Sequence, residues 1–215
     1  MKHILKTEAD WLAIRKEYIT ASNAAVLVGA DPYSSPAKIK NPDPFFGNAF
    51  TVVGQVMEPI VVVITNLVLG TKFELYEQEE DVKEFHTNGH FGATPDAHQD
   101  RKVLLECKTT RPKTFIKYGA VPPSKYMIQN IIQQMCVEGL EADYGYLSVL
   151  STDLTQQTST INWPISIFKI WKDATLCTIL QEEAERFKTA QTFRVNSKVK
   201  QRVKLLLGLI CERVT

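Results

Sequence analysis

Asp96, Glu106 and Lys108 are the residues of this chain best placed to do chemistry. They lie in 91-FGATPDAHQDRKVLLECKTT-110, a Pro-Asp followed ten residues later by Glu-Cys-Lys. The apolar run Val103-Leu104-Leu105-Glu106-Cys107-Lys108 reads as a buried strand. Side chains alternate along a strand, so Glu106 and Lys108 point one way while Cys107 points back into the fold. A carboxylate and an ammonium buried side by side are costly without further partners. A divalent cation shared with Asp96 offsets that cost, and hard oxygen donors select Mg²⁺ or Mn²⁺ over zinc. The chemistry implied is metal-dependent hydrolysis of a phosphodiester. Two blander readings compete with it. Pro-Asp-Ala makes a turn, and a strand Glu-x-Lys is usually a solvated ion pair of little worth. What favours chemistry is context, a strand and a turn leading into an apolar strand with both charges on one face.

Those groups need elements to hold them. Residues 8–17 read as a short helix carrying Trp11, Leu12 and Ile14, and a second helix starts near Ser22 as N-cap and ends at Gly29. Residues 31–50 are rich in proline and aromatics and predict a loop or a short broken helix. The next helix is expected over 55–69, closed by Gly70 at its C-cap. Strands are expected at about 72–79, 82–86, 90–94 and 102–108, with Asn88-Gly89 as a hairpin turn. Ser124 then caps a helix to Gly139, and 144–151 and 158–168 read as strands. A helix over about 170–190 and another over 198–212 complete the chain. This order predicts an α/β core of mixed sheet flanked by helices. It has neither the regular alternation and glycine fingerprint of a dinucleotide fold nor a P-loop.

At 215 residues and 44% apolar, the chain suits one well-packed domain. It holds no unbroken run of about eighteen apolar residues, and its N-terminus is too charged for a secretory signal, so a membrane protein is not expected. Cys107, Cys136, Cys177 and Cys211 are widely spaced, fitting neither a zinc site nor a disulfide framework, and point to a reducing cytosol. Net charge is only +1, but it is unevenly spread. Residues 101–125 carry Arg101, Lys102, Lys108, Arg111, Lys113, Lys117 and Lys125 against Glu106 alone, and from Arg186 onward eight basic residues face Glu212. The acids gather as Glu77, Glu79, Glu80, Asp81 and Glu84. Such segregation suits a basic channel beside the catalytic strand with an acidic exterior.

The motif order resembles the lambda-exonuclease, or YqaJ-like viral recombinase, branch of the PD-(D/E)xK nucleases. The segments that carry the resemblance are 15-RKEYITASNAAVLVGADPY-33, 54-GQVMEP-59, 92-GATPDA-97, 105-LECKTT-110 and 126-YMIQNIIQQM-135. They fall within residues 11–150, in the family's order. The resemblance implies the restriction-endonuclease-like core over about 11–168 and a single exonuclease domain over 1–215, with a helical segment over 170–215 that shows no motif. It makes Glu58 a metal or water-shell ligand, where the ordinary reading is an acid favoured by the helix dipole. Asp96 and Glu106 become the principal ligands, supplemented by the Cys107 backbone carbonyl, for Mg²⁺ (or Mn²⁺), with two ions per site. Lys108 holds the attacking water or the phosphate. Gln129, which shares a helix face with Gln133 and Cys136, points into the active site and helps place the nucleophile. Tyr126 is core packing or a DNA-backbone contact.

A hydroxyl at a helix N-terminus with a guanidinium nearby makes a ready phosphate site. The resemblance assigns Arg15 and Ser22 to a pocket for the 5′-phosphate of the digested strand, with Thr94 as a further hydroxyl. Arg111 and Lys113, on the loop after the catalytic strand, are placed for the same phosphate or the next. Ala97 stands where the family commonly has glycine, and the short 36–50 region implies a reduced DNA-gripping arm. The implied activity is 5′-to-3′ degradation of one strand of duplex DNA, releasing mononucleotides and leaving 3′ overhangs for recombination. A homotrimeric ring, a single-strand annealing partner and a phage gene acting in the bacterial cytoplasm go with it. An endonuclease on the same core and a catalytically silent DNA-binding scaffold are the rivals.

Overall fold

Alternating apolar positions in 103–110 and 144–151 make two neighbouring strands, and the rest of the fold is arranged to cover and extend them. The computed structural model describes residues 1–41, 49–76, 83–118, 121–152 and 164–215. The first half gives β1 (Lys2–Leu5), α1 (Glu8–Glu17), β2 (Ile19–Thr20), the single turn α2 (Ala21–Ala24), α3 (Pro36–Lys40) and α4 (Ala49–Leu69). Strands β3 (Glu74–Leu75), β4 (Lys83–Asn88), β5 (Phe91–Ala93), β6 (Ala97–Gln99) and β7 (Val103–Thr110) follow. Next come α5 (Pro112–Tyr118), α6 (Ser124–Cys136), β8 (Tyr144–Ser151), β9 (Ile165–Trp171), α7 (Ala174–Thr189), α8 (Ser197–Leu209) and β10 (Cys211–Arg213). One sheet runs β10-β9-β8-β7-β6-β3 and the other β1-β4-β5-β2. β7 and β8 are parallel, with Glu106 opposite Leu147 and Lys108 opposite Val149. A parallel pair needs a crossover, which α5 and α6 supply.

Strand alternation then divides the core. Leu105, Cys107 and Leu150 pack beneath Met57, Val61 and Val62 of α4. On the other face Leu147, Val149, Phe168 and Ile170 meet Met127, Ile128, Ile131 and Ile132 of α6. Leu176, Leu180, Phe187, Val203 and Leu207 from α7 and α8 join that second cluster, so the carboxy-terminal helices share its core. Burying a side chain of this size contributes about 1.5–3 kcal/mol.

Amides also dock α6 on the sheet. Asn130 Nδ2 donates to the Tyr146 carbonyl at 3.0 Å, and Gln134 Nε2 donates to Asn130 Oδ1 at 2.8 Å and to the Ile170 carbonyl at 3.1 Å. Gly145 makes room for this, since a Cβ there would stand 2.7 Å from Asn130 Oδ1. Gly145→Ala is therefore expected to destabilise the fold by about 1–3 kcal/mol, seen as a lower urea midpoint. An unchanged midpoint would show that α6 yields freely.

Several sequence expectations are corrected. α4 starts at Ala49, six residues before 55; its Thr51–Leu69 stretch is long and apolar enough to cross a bilayer by length and composition, although no unbroken apolar run exists. Here it packs one face on the sheet and carries Glu58 and Pro59. Ser22 does not cap a helix over 22–29: it is inside the four-residue α2, whose N-cap is Thr20. Ser124 is the first residue of α6, behind Pro123, and α6 ends at Cys136, before Gly139. The β4–β5 turn falls at Gly89-His90, because Asn88 already pairs with Phe91. β9 runs on to Trp171, so α7 starts four residues after 170, and α8 gives way to β10 within 198–212. β1 had no sequence signal strong enough to be expected. Of the strand expected over 72–79, Glu74–Leu75 forms; 77–82, with Glu77, Glu79, Glu80 and Asp81, and 153–163 lie outside the described residues.

The charge segregation is also smaller than it reads. Glu84 is 8% exposed and takes Arg101 and Lys2 as partners. Lys102 pairs with Glu141 at 3.0 Å. Arg101 and Lys102 thus serve acids of the fold, where the sequence reading gave them to a basic channel.

Candidate active site

The site exists because β6 is short. Its pairing with β7 stops at Ala97 opposite Leu105, so from Glu106 onward the outer edge of β7 has no strand beside it among the described residues. Asp96, the residue just before β6, fills the first gap: the Cys107 N–H donates to its Oδ2 at 2.8 Å. The register is set by the tight turn at Asp100-Arg101, both at positive φ (51° and 57°), with Lys102 N–H donating to the Gln99 carbonyl.

Glu106 is fully buried and wholly partnered. Gln129 Nε2 donates to its Oε1, Gln133 Nε2 donates to its Oε2, and Lys108 Nζ forms an ion pair with Oε1. Lys108 keeps 24% of its side chain exposed, and its ammonium stands 5.5 Å from the Tyr126 ring centre. Cys107, as expected, turns away into the core under α4. Opposite this edge, Gly54, Glu58 and Val61 of α4 complete a cleft of about 290 Å³ with Asp96, Cys107 and Lys108. A larger hollow of about 580 Å³ beside His90, Phe91, Glu185 and Arg186 contains none of these groups, so size alone does not mark the chemistry.

The electrostatics are those of three acids and one amine. Burial, reinforced by Glu106 and opposed by Lys108, pushes Glu58 up to about 6. Burial and then Glu106 hold the Asp96 carboxyl well above the usual range, against the pull of Lys108 and the Cys107 N–H. Burial works against the Lys108 charge, but Glu106 and Asp96 outweigh it and raise its pKa. Among the described residues no three His, Cys, Asp or Glu side chains stand as a finished metal cage, since Glu106 is turned into its own donors. The donor set nevertheless fits a hard divalent cation: Glu58 and Asp96 line the cleft, and Glu106 acts electrostatically on both while paired to the Lys108 that lines it.

A pH dependence follows. Between the ordinary carboxyl pKa and about 6, the folded protein retains a Glu58 proton that the unfolded chain has lost. Stability therefore falls as pH rises through that window. In EDTA, Glu58→Gln is expected to melt at the wild-type temperature near about pH 4.5 and above it near about pH 7.5. Parallel melting curves at both pH values would refute the coupling.

Arg15 lies over the Trp11 ring, 4.0 Å from its centre, and Trp11 Nε1 donates to Thr94 Oγ1 at 3.3 Å. Arg15 and Thr94 thus meet through an indole that the sequence places on the 8–17 helix without a role, although the i, i+4 spacing of Trp11 and Arg15 points to their contact. Ser22 instead shares a hydrogen bond with Thr20 at 3.1 Å. β2 pairs with β5, Thr20 opposite Gly92, which brings this hydroxyl pair to the strand leading into Thr94. Arg111 and Lys113 are exposed at the start of α5, a short helix where a loop was expected. Gln133 was noted only as a face-mate of Gln129; its contact with Glu106 is the residue role the sequence reading missed.

A mixed sheet flanked by helices, with Pro-Asp and Glu-x-Lys meeting at an unpaired strand edge, defines a PD-(D/E)xK nuclease fold. Residues 10–141 match the YqaJ-like viral recombinase domain, and the chain belongs to that family. Its fold is similar to an alkaline exonuclease from Laribacter hongkongensis at 19% identity and a TM-score of 0.59, over 92% of this chain and 95% of that one. The same enzyme in complex with dAMP gives a TM-score of 0.57 over the same shares, again at 19% identity. No curated protein shows significant similarity to the chain.

Proposed function

We propose that this protein is a Mg²⁺-dependent 5′-to-3′ exonuclease acting on double-stranded DNA ends, releasing 5′-mononucleotides and leaving 3′ single-stranded overhangs for homologous recombination. The observation that carries the reading is the meeting of Asp96, Glu106 and Lys108 at the open edge of β7, with Glu58 across the cleft. Membership of the viral recombinase family and a fold shared with an alkaline exonuclease support it.

In this reading Glu58, Asp96, Glu106 and the Cys107 carbonyl hold Mg²⁺, with Mn²⁺ as substitute and two ions per site. When bound, the ions supply an activated water and charge stabilisation for the leaving 3′ oxygen. The chain's own groups do the rest. Lys108 exchanges its Glu106 partner for the water or a phosphate oxygen and places positive charge beside the transition state. Gln129, already at Glu106 Oε1, orients that carboxylate and the nucleophile near it. Burial of Glu106 beneath α6 excludes bulk water and strengthens each of these contacts. Arg15, steadied by Trp11, and the Ser22 and Thr94 hydroxyls bind the 5′-phosphate, with Arg111 and Lys113 at the same phosphate or the next.

The chain acts as a single domain over 1–215, as a homotrimer around DNA and beside a single-strand annealing protein, in the cytoplasm of a bacterial host if a phage encodes it. Digestion of linear duplexes tests the function. A 5′-phosphorylated duplex should be degraded with Mg²⁺, its 5′-hydroxyl counterpart slowly, and covalently closed circles not at all. Cutting of circles would make the protein an endonuclease, and inactivity with both Mg²⁺ and Mn²⁺ would make it a scaffold.

A further inference from the structure

We infer that Gln133 is a positioning residue of the site: it anchors Glu106 Oε2 so that the other carboxylate oxygen, Oε1, is presented to the cleft. The inference rests on the metal-dependent reading above and adds a residue to it. Gln133 is wholly buried, and its side-chain amide nitrogen donates to Glu106 Oε2. Glu106 Oε1 meets Gln129 and Lys108, and Lys108 lines the cleft with 24% of its side chain exposed. The two oxygens of one carboxylate are therefore treated differently: Oε2 is held by Gln133, while Oε1 is shared between Gln129 and Lys108.

The amide orientation is set by chemistry, because an ionised carboxylate only accepts and so selects the NH₂ end of the amide. The cost appears at the other end: Gln133 Oε1 is buried without a hydrogen-bond partner. A buried acceptor left in this way is unfavourable, and packing alone would be served by an apolar side chain. The polar residue is explained by what its nitrogen does to Glu106. Gln134, one position on, is buried with an equally unpartnered Oε1, so the contrast lies in the nitrogen alone: that of Gln134 bonds Asn130 and the Ile170 carbonyl and serves the docking of α6, whereas that of Gln133 goes to Glu106.

The test pairs Gln133→Met with Gln134→Met, each removing one buried amide from α6, and reads Mn²⁺ binding by calorimetry beside the melting temperature. Residues that orient a ligand typically carry roughly 10–100-fold in metal affinity. Gln133→Met is expected to weaken Mn²⁺ binding by that factor, while Gln134→Met lowers the melting temperature and leaves Mn²⁺ binding at the wild-type level. Gln133→Asn, which keeps an amide but is too short to reach Glu106, should repeat the loss and serves if the Met variant does not fold. Wild-type Mn²⁺ affinity in a folded Gln133 variant, or an equal loss in Gln134→Met, overturns the inference while the nuclease reading stands. A wild-type protein that binds no Mn²⁺ overturns the metal reading itself, and this inference with it.

Discussion

Lys108→Met is expected to lose about 10²–10³-fold in kcat on 5′-phosphorylated duplex DNA, the usual cost of removing one preorganised charge from a transition state. Methionine keeps most of the aliphatic stem, so packing beside Tyr126 is preserved and only the ammonium goes. Glu106 retains Gln129 and Gln133 as donors, which keeps the buried carboxylate satisfied and the variant folded. Binding of DNA ends in EDTA should persist, because the residues proposed to hold the 5′-phosphate, Arg15, Ser22 and Thr94, are untouched. Single-turnover rates with saturating Mg²⁺ decide the matter. A variant within about tenfold of wild type, some 1.4 kcal/mol of barrier, would remove Lys108 from the chemistry.

Asp96 carries the second large effect, and here two roles can be separated. Its Oδ2 accepts from the Cys107 N–H, which is a structural duty at the open edge of β7. Its charge, coupled to Glu106 and Glu58, is the part suited to a cation. Asp96→Asn keeps an acceptor for the amide and removes the charge, whereas Asp96→Ala removes both. The asparagine variant should therefore melt near wild type yet lose at least about 10²-fold in turnover. The alanine variant should lose activity and also stability, by about 1–3 kcal/mol for the orphaned amide. Equal activity loss with equal melting temperatures would mean that the hydrogen bond contributes nothing to the fold.

Much of this architecture was legible in the residues. The side-chain alternation of 103–108 placed Glu106 and Lys108 on one face, and the structure pairs them there. Gly70 ends α4 at positive φ, 66°, as expected of a C-cap. Helix boundaries in proline-rich or β-branched stretches were harder, because local preference and tertiary packing disagree: Val61-Val62-Val63-Ile64 is β-prone in sequence but helical on the sheet. The grouping of Arg15 with Thr94 was partly legible. Arg15 and Thr94 meet through Trp11, an arrangement that depends on α1 lying beside the residues after β5. What the sequence could not express was the length of β6. Whether a strand stops at Ala97 or runs further is decided by pairing, and that stop is what opens the cleft.

The early end of β6 has a consequence for isotope exchange. The amide hydrogen of Leu105 faces a neighbouring strand, whereas that of Cys107 is sheltered by one carboxylate oxygen. Deuterium uptake at these two positions should therefore diverge. Leu105 will report the breathing of the whole sheet, and Cys107 the swing of a single side chain. Any cation or nucleotide that draws the Asp96 carboxylate away will quicken exchange at Cys107 alone, making one backbone hydrogen a gauge of occupancy in the cleft.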